Sequence, residues 1–204
     1  MLLAFPIKNR LVYRDIKPEN IGFDVRGDVK VFDFGLCKSL SPALKAREGK
    51  YGYRLTGRAG SLPYMAPEVI KMETYDTKCD VYSFSILLWE ILNLQQSFKG
   101  MSPSQFVEEV VVKKTRLPVP TTIPPLTRLM IPEAWDDDPR QRPDMKRCAI
   151  LIRGDLNDMT CDDAILHRTT HMDNRSDHSD RGAMLRGGPP PTQDAHLDFS
   201  DDES

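Results

Sequence analysis

The pattern of apolar and polar residues predicts four helices between residues 80 and 157. The stretch 80–92 is apolar nearly all round, which is typical of a helix buried on every side. A Ser-Pro start predicts a helix over 102–112, and 126–134 also has a helical pattern. The segment 144–157 suits a helix with one apolar face. Pro132 is expected to end or kink its helix, because proline lacks the amide donor.

Two short runs of β-favouring residues lie earlier, at 21–23 and 29–32, with a Gly-Asp turn signal between them. This pattern predicts a β-hairpin, which would bring Asn20 and Asp33 side by side at its open end. The predicted fold is therefore mainly α with a small β-hairpin. The segment 36–62 has no sustained periodicity, so we expect a long exposed loop of the kind that usually serves a function.

Composition indicates one folded domain with an appendage. The chain has 204 residues, of which 40% are hydrophobic, and this is enough for a core. Residues 1–153 have 24 Lys or Arg against 18 Asp or Glu, a net charge of +6, whereas 154–204 have 4 against 12, a net charge of −8. Apolar content then falls, so we expect 158–204 to be an acidic disordered tail. The mildly basic body suits an anionic ligand, but no nucleic-acid partner is expected.

Cysteine and histidine positions argue against a disulfide framework or a metal centre. The four cysteines are scattered with no CxxC pair, which is typical of reduced thiols in a cytoplasmic protein, with the nucleus as the alternative. His167 and His171 have the spacing of metal ligands on a helix, but a solvated polar tail is the favoured interpretation. No apolar run approaches the roughly 18 residues of a membrane span, so no membrane partner is expected. The sequence leaves the oligomeric state open.

The residues best suited to chemistry lie in the segment 13–20 and just beyond it. Asp15, Lys17 and Asn20 are close together, and Asp33 follows a short apolar run. Phosphoryl transfer from a metal nucleotide needs a carboxylate to orient the hydroxyl nucleophile and a cation to offset charge on the moving phosphoryl group. It also needs oxygen-rich side chains that hold Mg²⁺. The set therefore indicates phosphoryl transfer.

Five short motifs are distributed along residues 13–143. They are YRDIKPEN at 13–20, DFG at 33–35, APE at 66–68, DVYSFS at 80–85 and WDDDPRQRP at 135–143. In this order they resemble the C-terminal lobe of the eukaryotic-type protein kinases, with Tyr13 where the family usually has His. The resemblance implies a catalytic loop over 13–20 and an activation segment over 33–68. The Lys-Pro-Glu-Asn run and the Gly60-Ser61-x-x-Tyr64 pattern are similar to the serine/threonine class.

The resemblance implies roles for five polar residues of the first two motifs. Asp15 would orient the acceptor hydroxyl or act as its base, and Lys17 would neutralise charge near the γ-phosphate. Asn20 and Asp33 would ligate Mg²⁺, so the implied cofactors are ATP and Mg²⁺. Arg14 would pair with a phosphate group on the activation segment.

The resemblance also implies contacts outside the catalytic loop. Thr56 is the first candidate for that phosphorylation, and the alternative is an unmodified loop hydroxyl. Ser61 would hydrogen-bond near the catalytic loop and shape the acceptor site. Glu68 and Arg142 would form a buried ion pair that ties the activation segment to the helices. Asp80 would hold the backbone of the catalytic loop, and the alternative is a plain cap of its own helix.

Only twelve residues precede Tyr13, too few for the Gly-rich lid, strand lysine and hinge of a kinase N-terminal lobe. We therefore expect 1–12 to be a truncated lead-in and 13–157 to be a kinase C-terminal lobe lacking the N-terminal lobe. The predicted function, in the complete enzyme, is ATP-dependent phosphoryl transfer to Ser or Thr hydroxyls of protein substrates. The alternative is a catalytically inactive, kinase-like binding or regulatory module. We expect the isolated chain to be weakly active or inactive.

Overall fold

The computed structural model describes the backbone of residues 11–173 and the side chains of residues 11–160. Within this part, β1 (Leu11–Val12) pairs with β4 (Lys38–Ser39), and β2 (Ile21–Phe23) pairs with β3 (Val29–Val31), both antiparallel. The α-helices are α1 (Pro67–Ile70), α2 (Lys78–Asn93), α3 (Pro103–Phe106), α4 (Pro125–Ala134) and α5 (Met145–Asp173). A π-helical turn, Val107–Val112, continues α3. Helices with small antiparallel sheets agree with the predicted mainly α class.

The predicted hairpin is present as β2 and β3, with Gly22 opposite Lys30. The carboxylate of Asp24 accepts the N–H groups of Arg26 and Asp28 across the turn, at 2.9 and 3.0 Å. A short acidic side chain that bonds the backbone in this way favours a tight turn, so the hairpin has a local cause. The pairing of β1 with β4 was not predicted, because strands of two residues are too short to show a period.

Helix α2 lies in the centre of the hydrophobic core. Tyr82, Ile86 and Trp89 are buried, as the apolar character of the sequence predicts. The last turn differs, because Ile91 is 57% exposed and the cap residue Leu94 is 91% exposed. The expectation of burial on every side is therefore wrong for the C-terminal end of the helix, whose apolar side chains no described element covers.

Helix α5 is longer than predicted. Its backbone continues to Asp173 instead of ending at 157, so residues 158–173 are helical and not part of a disordered tail. Residues 155–173 contain neither Gly nor Pro, so nothing in the local sequence stops the helix. The rest of the predicted tail and most of the predicted lead-in lie outside the described residues. None of the described helices is both long and apolar enough to span a membrane.

Arg142 is buried and joins α1 to the segment before α5. Its guanidinium donates to both carboxylate oxygens of Glu68, at 2.7 and 2.8 Å. Its Nε donates to the carbonyl of Asp136 at 2.7 Å, and the guanidinium lies 5.2 Å from the ring centre of Tyr82. A buried charge needs such pairing to offset the loss of water. The contact therefore holds the C-terminal end of the long loop against the helices.

Asp80, in the first turn of α2, holds the loop 13–20. Its two carboxylate oxygens accept the N–H groups of Tyr13 and Arg14, each at 2.8 Å. The cap residue of α2 is Thr77, so the alternative of a plain helix cap does not describe Asp80. Burial raises the pKa of this carboxyl to about 6, although the two N–H donors act in the opposite direction.

Replacing Glu68 with Gln should remove the charge that offsets the buried guanidinium of Arg142. We expect the free energy of unfolding to fall by about 3–5 kcal/mol, the usual cost of leaving one buried ion unpaired. Urea unfolding followed by circular dichroism measures this change. The control is Arg140→Gln, because Arg140 pairs with Asp138 at the surface and its loss should change the free energy little. Equal effects of the two substitutions would contradict the prediction.

Asp80 should make the stability depend on pH. A carboxyl whose pKa is higher in the folded state stabilises the fold most below its unfolded pKa, and this contribution disappears as the pH rises through about 6. The Asp80→Asn variant should lack this dependence. Between about pH 4 and pH 7, the free energy of unfolding of the parent should therefore fall by roughly 1–3 kcal/mol relative to the variant. Paired urea titrations would refute this if the difference stays constant with pH.

Candidate active site

Asp15 is the centre of a hydrogen-bonded cluster in which three side chains donate to its carboxylate. Lys17 Nζ lies 3.0 Å from Oδ2, Asn20 Nδ2 lies 2.9 Å from the same oxygen, and Ser61 Oγ lies 3.1 Å from Oδ1. Lys17 Nζ also donates to Ser61 Oγ at 2.9 Å. Asp15 is 7% exposed, so these donors replace water around its charge. The cluster therefore fixes the direction of this buried carboxylate.

Asn20 and Asp33 both lie at the open end of the hairpin, one on each strand side. The N–H group of Phe32 donates to the carbonyl of Asn20 at 2.8 Å, which joins the two segments directly before Asp33. Asp33 has a left-handed backbone, with φ of 52°, and its Oδ1 accepts the N–H group of Gly35 at 3.0 Å. The turn therefore begins one residue after the bond between Phe32 and Asn20.

The donors at this end of the hairpin fit Mg²⁺ better than a transition metal. The amide nitrogen of Asn20 is used on Asp15, so its oxygen is the atom that it can offer, and Asp33 offers a carboxylate. Mg²⁺ is usually held by one or two protein oxygens together with phosphates and water. Within residues 11–160, no group of three or more His, Cys, Asp or Glu side chains could hold a metal ion. The side chains of His167 and His171 lie outside the described residues.

Tyr13 connects the catalytic-loop segment to the DFG segment, a role that sequence analysis missed. Its hydroxyl donates to the carbonyl of Phe32, and its ring packs edge-on against Phe34 with centroids 5.7 Å apart. Burial, followed by the nearby thiol of Cys37 and the carboxylates of Asp15 and Asp33, raises the pKa of Tyr13 to about 12. The hydroxyl therefore stays protonated and remains a donor. The only feature of the sequence that could have indicated this role is the unusual tyrosine in the first motif.

Arg14 reaches from the same loop to the start and the middle of the long segment 36–66. Its Nε donates to the carbonyl of Leu36 at 2.6 Å, and its Nη1 donates to Thr56 Oγ1 at 2.7 Å. The hydroxyl of Tyr75 donates to the carbonyl of Thr56 at 2.6 Å. The hydroxyl of Thr56 is thus in direct contact with a guanidinium.

Gly60 allows Ser61 to approach the catalytic cluster, and sequence analysis cited it only as part of a pattern. It has φ of 113°, and a Cβ atom placed on it would lie 2.4 Å from the carbonyl oxygen of Arg14. Any other residue would therefore push the two segments apart. Of the residues predicted for the site, Asp15, Lys17 and their partners form this cluster, whereas the pair formed by Glu68 and Arg142 lies outside it.

Comparison with known proteins finds similarity to protein kinases. A family model described as protein tyrosine and serine/threonine kinase matches residues 3–152. Dual specificity protein kinase shkB of Dictyostelium discoideum is 41% identical over 137 residues, which are 66% of this chain and 20% of that protein. In Arabidopsis thaliana, serine/threonine-protein kinase CTR1 is 34% identical over 143 residues (70% of this chain, 16% of that protein). Serine/threonine/tyrosine-protein kinase HT1 is 35% identical over 143 residues (70% and 34%).

These relatives are longer proteins, and this chain spans about a third of their length or less. The matched region contains every motif that carries the candidate site. The family match agrees with the order of the motifs and with the buried cluster around Asp15. The chain belongs to the eukaryotic protein kinase family.

Proposed function

We propose that this chain supplies the catalytic loop, metal ligands and activation segment of a protein serine/threonine kinase. The reaction is ATP-dependent phosphoryl transfer to Ser or Thr hydroxyls of protein substrates, carried out by the full-length protein. The observation that carries the proposal is the Asp15 cluster, in which Lys17, Asn20 and Ser61 hold one carboxylate. The names of several relatives, such as the serine/threonine kinase CTR1, support the same class.

Asp15 and Lys17 have complementary tasks in this reaction. Asp15 aligns the acceptor hydroxyl and takes its proton while the new oxygen–phosphorus bond forms and the bond to the ADP leaving group breaks. Lys17 offsets negative charge on the group being transferred. Because the transition state of phosphoryl transfer is loose, alignment contributes more than strong basicity. A carboxylate that three neighbours hold in place suits that requirement.

Asn20 and Asp33 are the proposed Mg²⁺ ligands. When bound, the ion would neutralise negative charge on the phosphate groups, as it does in phosphoryl-transfer enzymes generally. The two residues lie on segments that the hairpin joins through the N–H of Phe32 and the carbonyl of Asn20. Their spacing is therefore set by backbone hydrogen bonds and not by flexible side chains.

The preference for Ser and Thr acceptors is supported by Ser61. Its hydroxyl contacts both Asp15 and Lys17, so the acceptor must approach past a short side chain at the edge of the cluster. Some relatives carry dual-specificity or serine/threonine/tyrosine names, so the acceptor type needs a direct test with Ser, Thr and Tyr peptides. Proteins are the proposed substrates, and the cytoplasm, with the nucleus as the alternative, is the proposed compartment.

Thr56 is the proposed regulatory phosphorylation site. Its hydroxyl already contacts the guanidinium of Arg14 at 2.7 Å, so a phosphate there would add strong charge-assisted hydrogen bonds to the same partner. Ser39 and Ser41, in the same segment, are weaker candidates. Ser41 uses its side chain to accept the N–H group of Ala43, and Ser39 lies in β4.

The Asp15→Asn variant of the full-length protein should lose phosphoryl transfer while it keeps nucleotide binding. We expect the rate to fall by about 100-fold or more, the usual scale for removing a positioned acid–base group. The assay follows transfer of labelled γ-phosphate to matched peptides that carry Ser, Thr or Tyr as the single acceptor. Asp28→Asn is the control, because Asp28 is an exposed acid in the hairpin turn.

Three outcomes of this assay would change the proposal. Full activity in Asp15→Asn would show that Asp15 does not align or deprotonate the acceptor hydroxyl. Equal transfer to the Tyr peptide would broaden the acceptor class. A folded parent protein that binds no Mg²⁺-ATP would favour the kinase-like binding or regulatory module instead.

The Thr56→Ala variant should lower activity if Thr56 is phosphorylated. We expect a decrease of roughly 5- to 150-fold, the range typical of regulatory coupling. Mass spectrometry of the peptide that contains Thr56, before and after phosphatase treatment, shows whether the phosphate is present. Unchanged activity together with an unmodified peptide would identify Thr56 as an ordinary loop hydroxyl.

A further inference from the structure

The loop 44–54, in the long segment before the APE motif, has an uncompensated positive charge. It contains four basic residues and one acid, a net charge of +3, and all five side chains are exposed. These residues are Lys45, Arg47, Lys50, Arg54 and Glu48. Among the described side chains, 11–160, none of the five takes part in an ion pair. An exposed cluster of one sign attracts partners of the opposite sign.

Backbone hydrogen bonds hold the base of this loop. The N–H group of Arg54 donates to the carbonyl of Leu44 at 2.7 Å, which closes the loop on itself. Tyr53 and Tyr75 exchange two backbone hydrogen bonds, at 2.8 and 3.2 Å. The loop is therefore attached at a fixed place on the helical body.

The tip of the loop brings two of its cations together. The N–H group of Lys50 donates to the carbonyl of Arg47 at 3.0 Å, and Gly49 between them has a left-handed backbone with φ of 82°. The ends of such a turn have Cα atoms about 7 Å apart or less. Two neighbouring positive charges with no acid between them repel each other, so a pair of carboxylates would stabilise both.

The turn between β2 and β3 shows how this protein neutralises exposed cations elsewhere. Arg26 lies 3.7 Å from a carboxylate oxygen of Asp24 and 3.6 Å from one of Asp28. Lys30 lies 3.1 and 3.7 Å from oxygens of the same two acids. That turn carries its own counter-charges, whereas the loop 44–54 needs them from another molecule.

The loop lies close along the chain to the proposed acceptor site. Arg54 is two residues before Thr56, whose hydroxyl contacts the guanidinium of Arg14 at 2.7 Å. Arg14 directly precedes Asp15, which aligns the acceptor hydroxyl in the proposed reaction. An extended peptide advances about 3.3 Å per residue. Residues several positions away from the acceptor in a bound peptide can therefore reach the loop.

We propose that the loop 44–54 is a docking surface for an Asp- and Glu-rich segment that flanks the acceptor residue of protein substrates. The inference rests on the proposed function and names its substrate class. Complementary charge at such a surface sets specificity more than overall affinity. A protein partner is favoured over nucleic acid, because Tyr53 is buried and Tyr51 is half-buried, so neither ring is exposed for bases to stack on.

The test compares two Ser peptides whose flanking residues are Asp in one and Asn in the other. Steady-state kinetics of the full-length protein gives kcat/KM for each, and we expect a higher value for the Asp peptide. In the double variant Arg47→Gln with Lys50→Gln, the ratio of the two values should fall roughly 2- to 30-fold, the scale of two lost exposed ion pairs. The change should lie in KM and not in kcat, because both residues are outside the Asp15 cluster.

The double variant Arg26→Gln with Lys30→Gln is the matched control. It also replaces one Arg and one Lys of an exposed turn, but their own acids already compensate these charges. The ratio should stay at the parent value, and an equal loss in the control would contradict a specific docking surface. Raising NaCl from about 50 mM to about 500 mM should lower the parent's ratio towards that of the loop variant, since salt screens exposed charges.

The outcomes separate this inference from the proposed function. If the parent phosphorylates both peptides equally, or the loop variant keeps the parent's ratio, the docking surface is wrong and the kinase proposal stands. If neither peptide is phosphorylated, the proposed function fails, and fluorescence anisotropy of the labelled Asp peptide decides the docking surface alone. Tighter binding of a single-stranded oligonucleotide of equal charge, lost in the loop variant, would identify nucleic acid as the partner and overturn the proposal.

Discussion

The buried carboxylate of Asp80 is the constraint on which the rest of the candidate site depends. It accepts the N–H groups of Tyr13 and Arg14, which lie 67 and 66 residues away in the chain. These bonds hold Arg14 at φ of 73°, in the left-handed region that residues other than glycine seldom adopt. A carboxylate in the core is costly unless donors satisfy it, so the loop and α2 stabilise each other. The direction of Asp15, the next residue, follows from this support.

Two arginines hold the long segment between the DFG and APE motifs at its ends. Arg14 donates to the carbonyl of Leu36 near the start, and Arg142 forms an ion pair with Glu68 at the end. Between them, Thr56 is exposed and bonds the guanidinium of Arg14, whereas Ser61 bonds Asp15 and Lys17. The middle of the segment is also held, because the backbone of Tyr53 pairs with that of Tyr75 and the N–H group of Arg58 donates to the carbonyl of Val69.

The parts of the fold and site that could be predicted without the family resemblance depend on short distances along the chain. The hairpin follows from a turn signal between two β-favouring runs, and Asn20 contacts Asp15 only five residues away. The predicted end of α5 was wrong because it was placed where the apolar residues become few. Fewer apolar residues reduce the packing of a helix, but they do not end a helix that contains no Gly or Pro. The close approach of Gly60 to the carbonyl of Arg14 could not be predicted, since no local pattern reports the distance between two loops.

By itself, the sequence determined the order of the motifs, the class of chemistry and the hairpin that carries Asn20 and Asp33, because residue type and local spacing are enough for these. Only the tertiary structure decided that Asp80 serves the loop and not its own helix, and that the ring of Phe32 lies on Gly22. The physical reason is that a hydrophobic or polar pattern states whether a side chain is buried. It does not state which distant segment supplies the atoms that bury or bond it.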